Sequence, residues 1–170
     1  FIGLYIVNNA IPFVLTKIDL KLFKNCNLYS LFFITALLTA VCQSSSLISV
    51  LIVTIASFGL LDIDSAVVMI MATNLGTCST PFLASIGKSK LGLKVAIFNI
   101  LFNFVGVFLN SFLYFTGLLS SFFETTIPLD TKVALFHTFY NISTTLLIFP
   151  YIYWFDHIKI GKKQYLFYEI

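Results

Sequence analysis

Between Asn25 and Leu61 the chain reads NCNLYSLFFITALLTAVCQSSSLISVLIVTIASFGLL, 37 residues without one charged side chain. A straight helix of that length would reach about 55 Å, against about 30 Å for the hydrocarbon core of a bilayer. The run must therefore break. The polar cluster Gln43-Ser44-Ser45-Ser46 stands near its middle. The arms on either side, about 28–42 and 47–60, would each be about 21 Å long as helix, too short to span comfortably alone. Two short arms around a polar tip predict a re-entrant hairpin over about 28–60. The alternative is one long, contorted crossing. Non-helical backbone at membrane depth is tolerated only when it is buried in protein or lines a cavity.

The rest of the chain supports a membrane setting. Of its 170 residues, 59% are hydrophobic and 10% charged, with a mean hydropathy of +0.99. A soluble domain carries about a quarter charged residues. The charges are clustered, so further uncharged runs cover 1–16, 65–87, 95–123 and 133–155. A soluble enzyme and a disordered linker are excluded. The net charge of +3 is too small and too dispersed for a nucleic-acid partner. Cys26, Cys42 and Cys78 are odd in number and widely spaced, so they read as small apolar residues in membrane packing, with no metal site and no cofactor. The first residue is Phe1, and no basic start precedes an apolar stretch as in a signal peptide. A fragment of something longer is expected.

The expected organisation is all-α and membrane-integral: a transmembrane repeat over 1–155 and a cytoplasmic tail over 156–170. Residues 1–16 read as a partial helix and 17–24 as a charged connection. Run 65–87 is interrupted by Asn74, Gly76 and Thr77, then Thr80 and Pro81, which predicts a discontinuous helix broken near the midplane. Two ordinary spans are expected at about 92–116 and 131–155. The second ends at Pro150 with Tyr151, Tyr153 and Trp154, which suit an interfacial belt. With a hairpin, Lys88, Lys90, Lys94, Lys159, Lys162 and Lys163 share one side, and Lys17, Lys21 and Lys24 share the other with Asp62, Asp64, Glu124 and Asp130. The six-lysine side would be cytoplasmic. A single crossing would put those nine lysines on one side. Both arrangements leave the C terminus in the cytoplasm.

Four consecutive polar side chains at Gln43–Ser46 are costly in hydrocarbon unless paired. One or two serines can bond back to their own helix, and the group could serve as polar glue between helices. Four exceed that allowance. A broken helix presents N–H groups on one half and C=O groups on the other, so anions favour the first and cations the second. Hydroxyl and amide oxygens suit a partly dehydrated Na+; hydroxyls and N–H donors suit an oxyanion. Asn74, Gly76, Thr77 and Thr80 repeat the theme one segment later. Neither break holds Asp, Glu or Lys, which disfavours a carboxylate proton relay and favours coupling to a cation. His137, in the last span, reads as a buried neutral histidine, with a gating role as the sharper alternative. Asn99, Asn103 and Asn141 read as interhelical bonds holding the scaffold. A Ser–His hydrolase lacks an acidic orienter at membrane depth and a nucleophile elbow, so no enzyme is expected.

The segment Thr39-Ala40-Val41-Cys42-Gln43-Ser44-Ser45-Ser46 resembles the QSSS signature of the sodium/phosphate cotransporter family. Ala72-Thr73-Asn74-Leu75-Gly76-Thr77-Cys78 is similar to that family's G-x-N-I-G-T segment. Phe82–Gly87, Phe102–Gly106 and Phe136–Asn141 follow in the expected order, so the resemblance covers about 3–155. It implies an inverted-repeat transporter in which each half carries one QSSS hairpin, this chain being the second, C-terminal half. Carried over by position, Gln43, Ser44, Ser45 and Ser46 would belong to the substrate and sodium site. Asn74, Gly76, Thr77 and Thr80 would line the facing break, and Na+ would be held through Gln43, Ser45 and Thr77. Ala72 departs from the usual glycine, Leu47 from the usual alanine, and Asn99 stands where the family often has histidine.

The function expected is Na+-dependent symport of inorganic phosphate by alternating access, in the plasma (inner) membrane, with a missing N-terminal repeat or a second chain as partner. The alternative is a non-transporting membrane assembly or accessory subunit that retains the fold.

Overall fold

A computed structural model describes residues 9, 10, 13, 26–87 and 89–160; of 121, 122 and 151–160 it describes the backbone alone. The charged connection at 17–24 and the last ten residues of the chain lie outside that set. Among the described residues the chain is all helix: α1 (Leu28–Cys42), α2 (Ser45–Ser57), α3 (Ile63–Gly76), α4 (Ser79–Ser85), α5 (Lys90–Phe115), α6 (Ser120–Phe123) and α7 (Leu129–Ile160). Among the described residues, three stretches are long and apolar enough to cross a membrane: Ile63–Ser85, Lys90–Phe115 and Leu129–Pro150. Helices α1 and α2 are apolar but shorter.

Helix starts follow from side-chain caps. Asn27 accepts from Tyr29 N–H at 2.8 Å, Ser44 from Leu47 N–H at 3.3 Å, Asp62 from Ser65 N–H at 3.3 Å and Ser89 from Gly92 N–H at 3.3 Å. Each cap satisfies one of the donors that a helix start leaves open. Burial raises the Asp62 carboxyl, but hydrogen bonds from Ser65, through side chain and backbone, outweigh it and hold the group below its ordinary value.

The bundle is organised around α3. Residues 65–74 and Gly76 are all buried, and α1, α2, α5 and α7 pack against them. A helix buried on every side needs no apolar stripe, and α3 has none. The outer helices point large apolar side chains away from the bundle; Leu91, Phe98, Leu101, Phe104, Phe108 and Phe112 of α5 are all exposed. Such a surface suits lipid.

Helices α1 and α3 run side by side in the same direction. A Cβ on Gly76 would meet Ala36 and Thr39, and three residues later Ser79 donates to the carbonyl of Ala40 at 3.3 Å. Toward their starts, Val68 and Met71 share a cavity of about 450 Å³ with Tyr29 and Phe32.

Two expectations are revised. The break expected at Asn74–Thr77 is displaced and shallow. Helix α3 continues through Gly76, and the passage to α4 runs through Thr77 and Cys78, both right-handed helical. Cys78 N–H bonds Leu75 O and Thr80 N–H bonds Thr77 O, both at three-residue spacing. The helix tightens for a turn instead of unwinding. The reason is local: Asn74 Nδ2 donates to Ile70 O at 3.0 Å and Thr77 Oγ1 to Thr73 O at 2.8 Å, so these polar groups reinforce the helix they were expected to interrupt. The last helix likewise passes through Pro150 to Ile160. Proline costs a membrane helix one backbone bond, which neighbouring groups can compensate.

Candidate functional site

Helices α1 and α2 are joined by Gln43 and Ser44 alone. Gln43 adopts a left-handed conformation (φ 51°, ψ 29°), unlike every other non-glycine residue described. An L side chain there costs about 1–3 kcal/mol. Ser44 is extended and caps α2. The amide and three hydroxyls of Gln43–Ser46 are thus gathered where the last carbonyls of α1 meet the first N–H groups of α2. Helix geometry leaves the N–H groups of Ser45 and Ser46 without intrahelical acceptors. Partial negative and partial positive charge therefore lie at one turn. Gln43 and Ser46 are exposed; Ser44 and Ser45 are half-buried.

The last turns of α1 set this group against the α3–α4 passage, through Gly76 on Ala36 and Thr39 and through Ser79 on Ala40. Asn74 is buried and Thr77 half-buried, both bonded to their own helix; Thr80 is exposed. The two sequence-derived groups therefore share a region. Among the described residues no hydrogen bond joins Gln43–Ser46 to Asn74, Thr77 or Thr80. The level along the bundle follows from Cys78, whose Sγ lies 3.8 Å from the carbonyl of Asn99. At 1.5 Å per residue, Asn99 stands about 14 Å from the start of α5 at Lys90 and about 24 Å from its end at Phe115. The neighbourhood is well inside the length of α5.

The scaffold asparagines meet the expectation in part: the Asn103 side chain also bonds the Cys78 thiol of the α3–α4 passage, and the other bonds of Asn103 and Asn141 are local. Asn103 donates to Asn99 O at 2.9 Å and Asn141 to His137 O at 3.0 Å, both within one helix. A carbonyl one turn back is the nearest acceptor for either amide. A fuller interhelical link is at Asn110, fully buried: its Nδ2 donates to Gly106 O at 2.9 Å and Thr144 Oγ1 at 3.3 Å, and Ser143 Oγ donates to its Oδ1 at 3.0 Å. Tyr140 OH adds a bond to Asn103 O at 3.3 Å. The spacing of Asn99, Asn103, Gly106 and Asn110 marks one helix face, though not the helix that this face would meet. Ser49, buried one turn after Ser45, is a second polar residue that sequence reasoning passed over. Its signal is the four-residue spacing.

A family model described as Na+/Pi-cotransporter matches residues 15–126, which contain the Gln43–Ser46 turn, the α3–α4 passage and α5. The chain is 28% identical over 152 residues to the uncharacterized protein YqeW of Bacillus subtilis (strain 168), an alignment covering 87% of this chain and 49% of that protein. The chain thus spans about half the length of the curated relative it matches. No solved structure matches. With the matched residues containing both polar turns and the helices that position them, the chain belongs to the Na+/Pi-cotransporter family.

Proposed function

We propose that the chain is one half of a Na+-coupled inorganic phosphate symporter of the inner plasma membrane, working by alternating access. Gln43, Ser44, Ser45 and Ser46 would bind substrate and ion, with Asn74, Gly76, Thr77 and Thr80 lining the facing side. Family membership and the Gln43–Ser44 turn between two short apolar helices are the main supports.

Helices α1 and α2 would form a re-entrant hairpin. Helix α1 runs parallel to α3, and the short connection 58–62 returns the end of α2 to the start of α3, so α2 must travel back. With α5 across the bilayer, the Gln43–Ser44 turn lies at membrane depth, where open N–H groups act in low dielectric and attract an oxyanion. Carbonyls and hydroxyls at the same turn would hold Na+ through Gln43, Ser45 and Thr77. The bound cation would supply the positive charge that the side chains of this region lack. The other half, from an N-terminal repeat or a second chain, would close the site from the opposite face, as in inverted-repeat transporters. Asp62, Asp64, Glu124 and Asp130 would face away from the cytoplasm and the C terminus toward it.

The test is uptake of radiolabelled phosphate by vesicles holding the intact gene product that contains this chain. The expected result is uptake that requires Na+ and is lost when choline replaces it. Equal uptake in choline would refute the coupling. An absence of phosphate uptake in Na+ would favour a non-transporting subunit.

A further inference from the structure

Ser49 lies on α2 four residues after Ser45, one turn inside the helix from the Gln43–Ser44 connection. It is 5% exposed. Among the described residues, its Oγ is unlike other buried side-chain nitrogens and oxygens in having no hydrogen-bond partner. Other buried hydroxyls fold back onto their own helices: Thr39 on Thr35 O at 2.8 Å, Thr73 on Ile70 O at 2.8 Å and Thr144 on Tyr140 O at 2.7 Å. The Ser49 hydroxyl does not do the same with Ser45 O.

Its direction follows from helix geometry. The Cα–Cβ bonds of an α-helix tilt toward the N terminus, so the Ser49 side chain sets out toward the first turn of α2, on the stripe of Ser45. Residues 45, 49, 52 and 56 share one stripe of the helix. The far pair, Ile52 and Ala56, is apolar and buried, so the stripe bears oxygen only near the turn. A buried hydroxyl without a partner is a cost that a bound group would offset.

We propose that Ser49 Oγ is an inner oxygen ligand of the cotransported Na+, forming with Ser45 Oγ a cation position beside the first turn of α2. This rests on the reading of Gln43–Ser46 as the ion and substrate site. The chemistry selects a cation. The open N–H donors that suit an oxyanion lie at Ser45 and Ser46, at the end of the helix. At Ser49 the backbone N–H is committed to the helix, so the site offers one hydroxyl and no open backbone donor, and beside Ser45 Oγ its lone pairs suit a hard cation. An oxyanion on the N–H groups would place negative charge next to that cation, so each ion would lower the cost of binding the other.

The experiment compares Ser49→Ala and Ser49→Thr with wild type in the intact gene product, reading phosphate uptake against Na+ concentration and Tm without Na+. Ser49→Ala is expected to raise the half-saturating Na+ concentration five- to tenfold. Half-saturating phosphate at saturating Na+ should change less than twofold. The Na+-free Tm should hold or rise, because an unsatisfied buried hydroxyl has been removed. Ser49→Thr, which keeps the hydroxyl, should retain Na+ affinity near wild type. An unchanged Na+ dependence in Ser49→Ala would overturn the ligand role and leave the transport reading intact. A lower Tm with equal weakening toward both ions would overturn it in favour of packing. Failure of wild type to show Na+-dependent uptake would remove the transport reading, and this inference with it.

Discussion

Gly76 of α3 sits so close to α1 that a Cβ placed on it would lie 2.5 Å from the Ala36 carbonyl oxygen and 2.6 Å from Thr39 Cβ. The obstructing oxygen is backbone, which cannot rotate away. Gly76→Ala must therefore push α1 off α3, at about 1–3 kcal/mol for an overpacked contact. Because α1 carries the Gln43–Ser44 turn, a shift there also displaces the proposed ion and substrate site. The expected outcome is a lower Tm in detergent together with at least a tenfold fall in phosphate uptake. Wild-type values for both would show that the contact does not position the turn.

The Asn110 cluster makes a prediction about the scaffold alone. Its amide is shared between Gly106 O and Thr144 Oγ1, and its carbonyl accepts from Ser143. Hydrogen bonds inside membrane proteins contribute about 0.6 kcal/mol on average and up to about 1.7. Asn110→Ala, which leaves several partners unpaired, should cost about 1–2 kcal/mol. A double-mutant cycle with Thr144→Val should show a coupling of about 0.6 kcal/mol, measured by unfolding in mixed micelles. Additive effects would show that the two side chains do not interact.

Asp62 gives the pH dependence of the start of α3. Its folded carboxyl titrates below the ordinary value of 3.8. The sign follows by linkage: the stabilisation is fully present above that ordinary value and is lost as pH falls through the lowered folded value. Asp62→Ala should cost about 0.5–2 kcal/mol at neutral pH through loss of the cap. Asp62→Asn, also a good cap, should cost less and should flatten the acid limb of Tm against pH below about pH 4. An unchanged acid limb in Asp62→Asn would assign that limb to other groups.

Some of this architecture is legible in residue order because it is set by local arithmetic. The uncharged run 25–61 is longer than any single span, and Gln43–Ser46 stands at its middle, so an interruption there follows from length and polarity. The all-helical class follows from hydropathy in the same way. The α3–α4 passage is not legible on those terms. Asn74, Gly76 and Thr77 together read as an interruption, but Asn74 and Thr77 each have an acceptor one turn back in their own helix, and those local bonds keep the passage helical. The close approach at Gly76 and the Asn110 bridge depend on which helices become neighbours, and sequence spacing does not encode this. The orphaned Ser49 hydroxyl is invisible for a further reason: a serine one turn into an apolar helix ordinarily bonds back to its own backbone.

If the Gln43–Ser46 turn and the α3 segment facing it bind the transported ions, both are needed for uptake. Na+-dependent uptake of radiolabelled phosphate is therefore compared in Ser45→Ala, Asn74→Ala and wild type at matched protein levels. At least a tenfold loss of uptake is expected in each variant, with the variants still inserted and folded. Wild-type uptake in both variants would contradict that binding role.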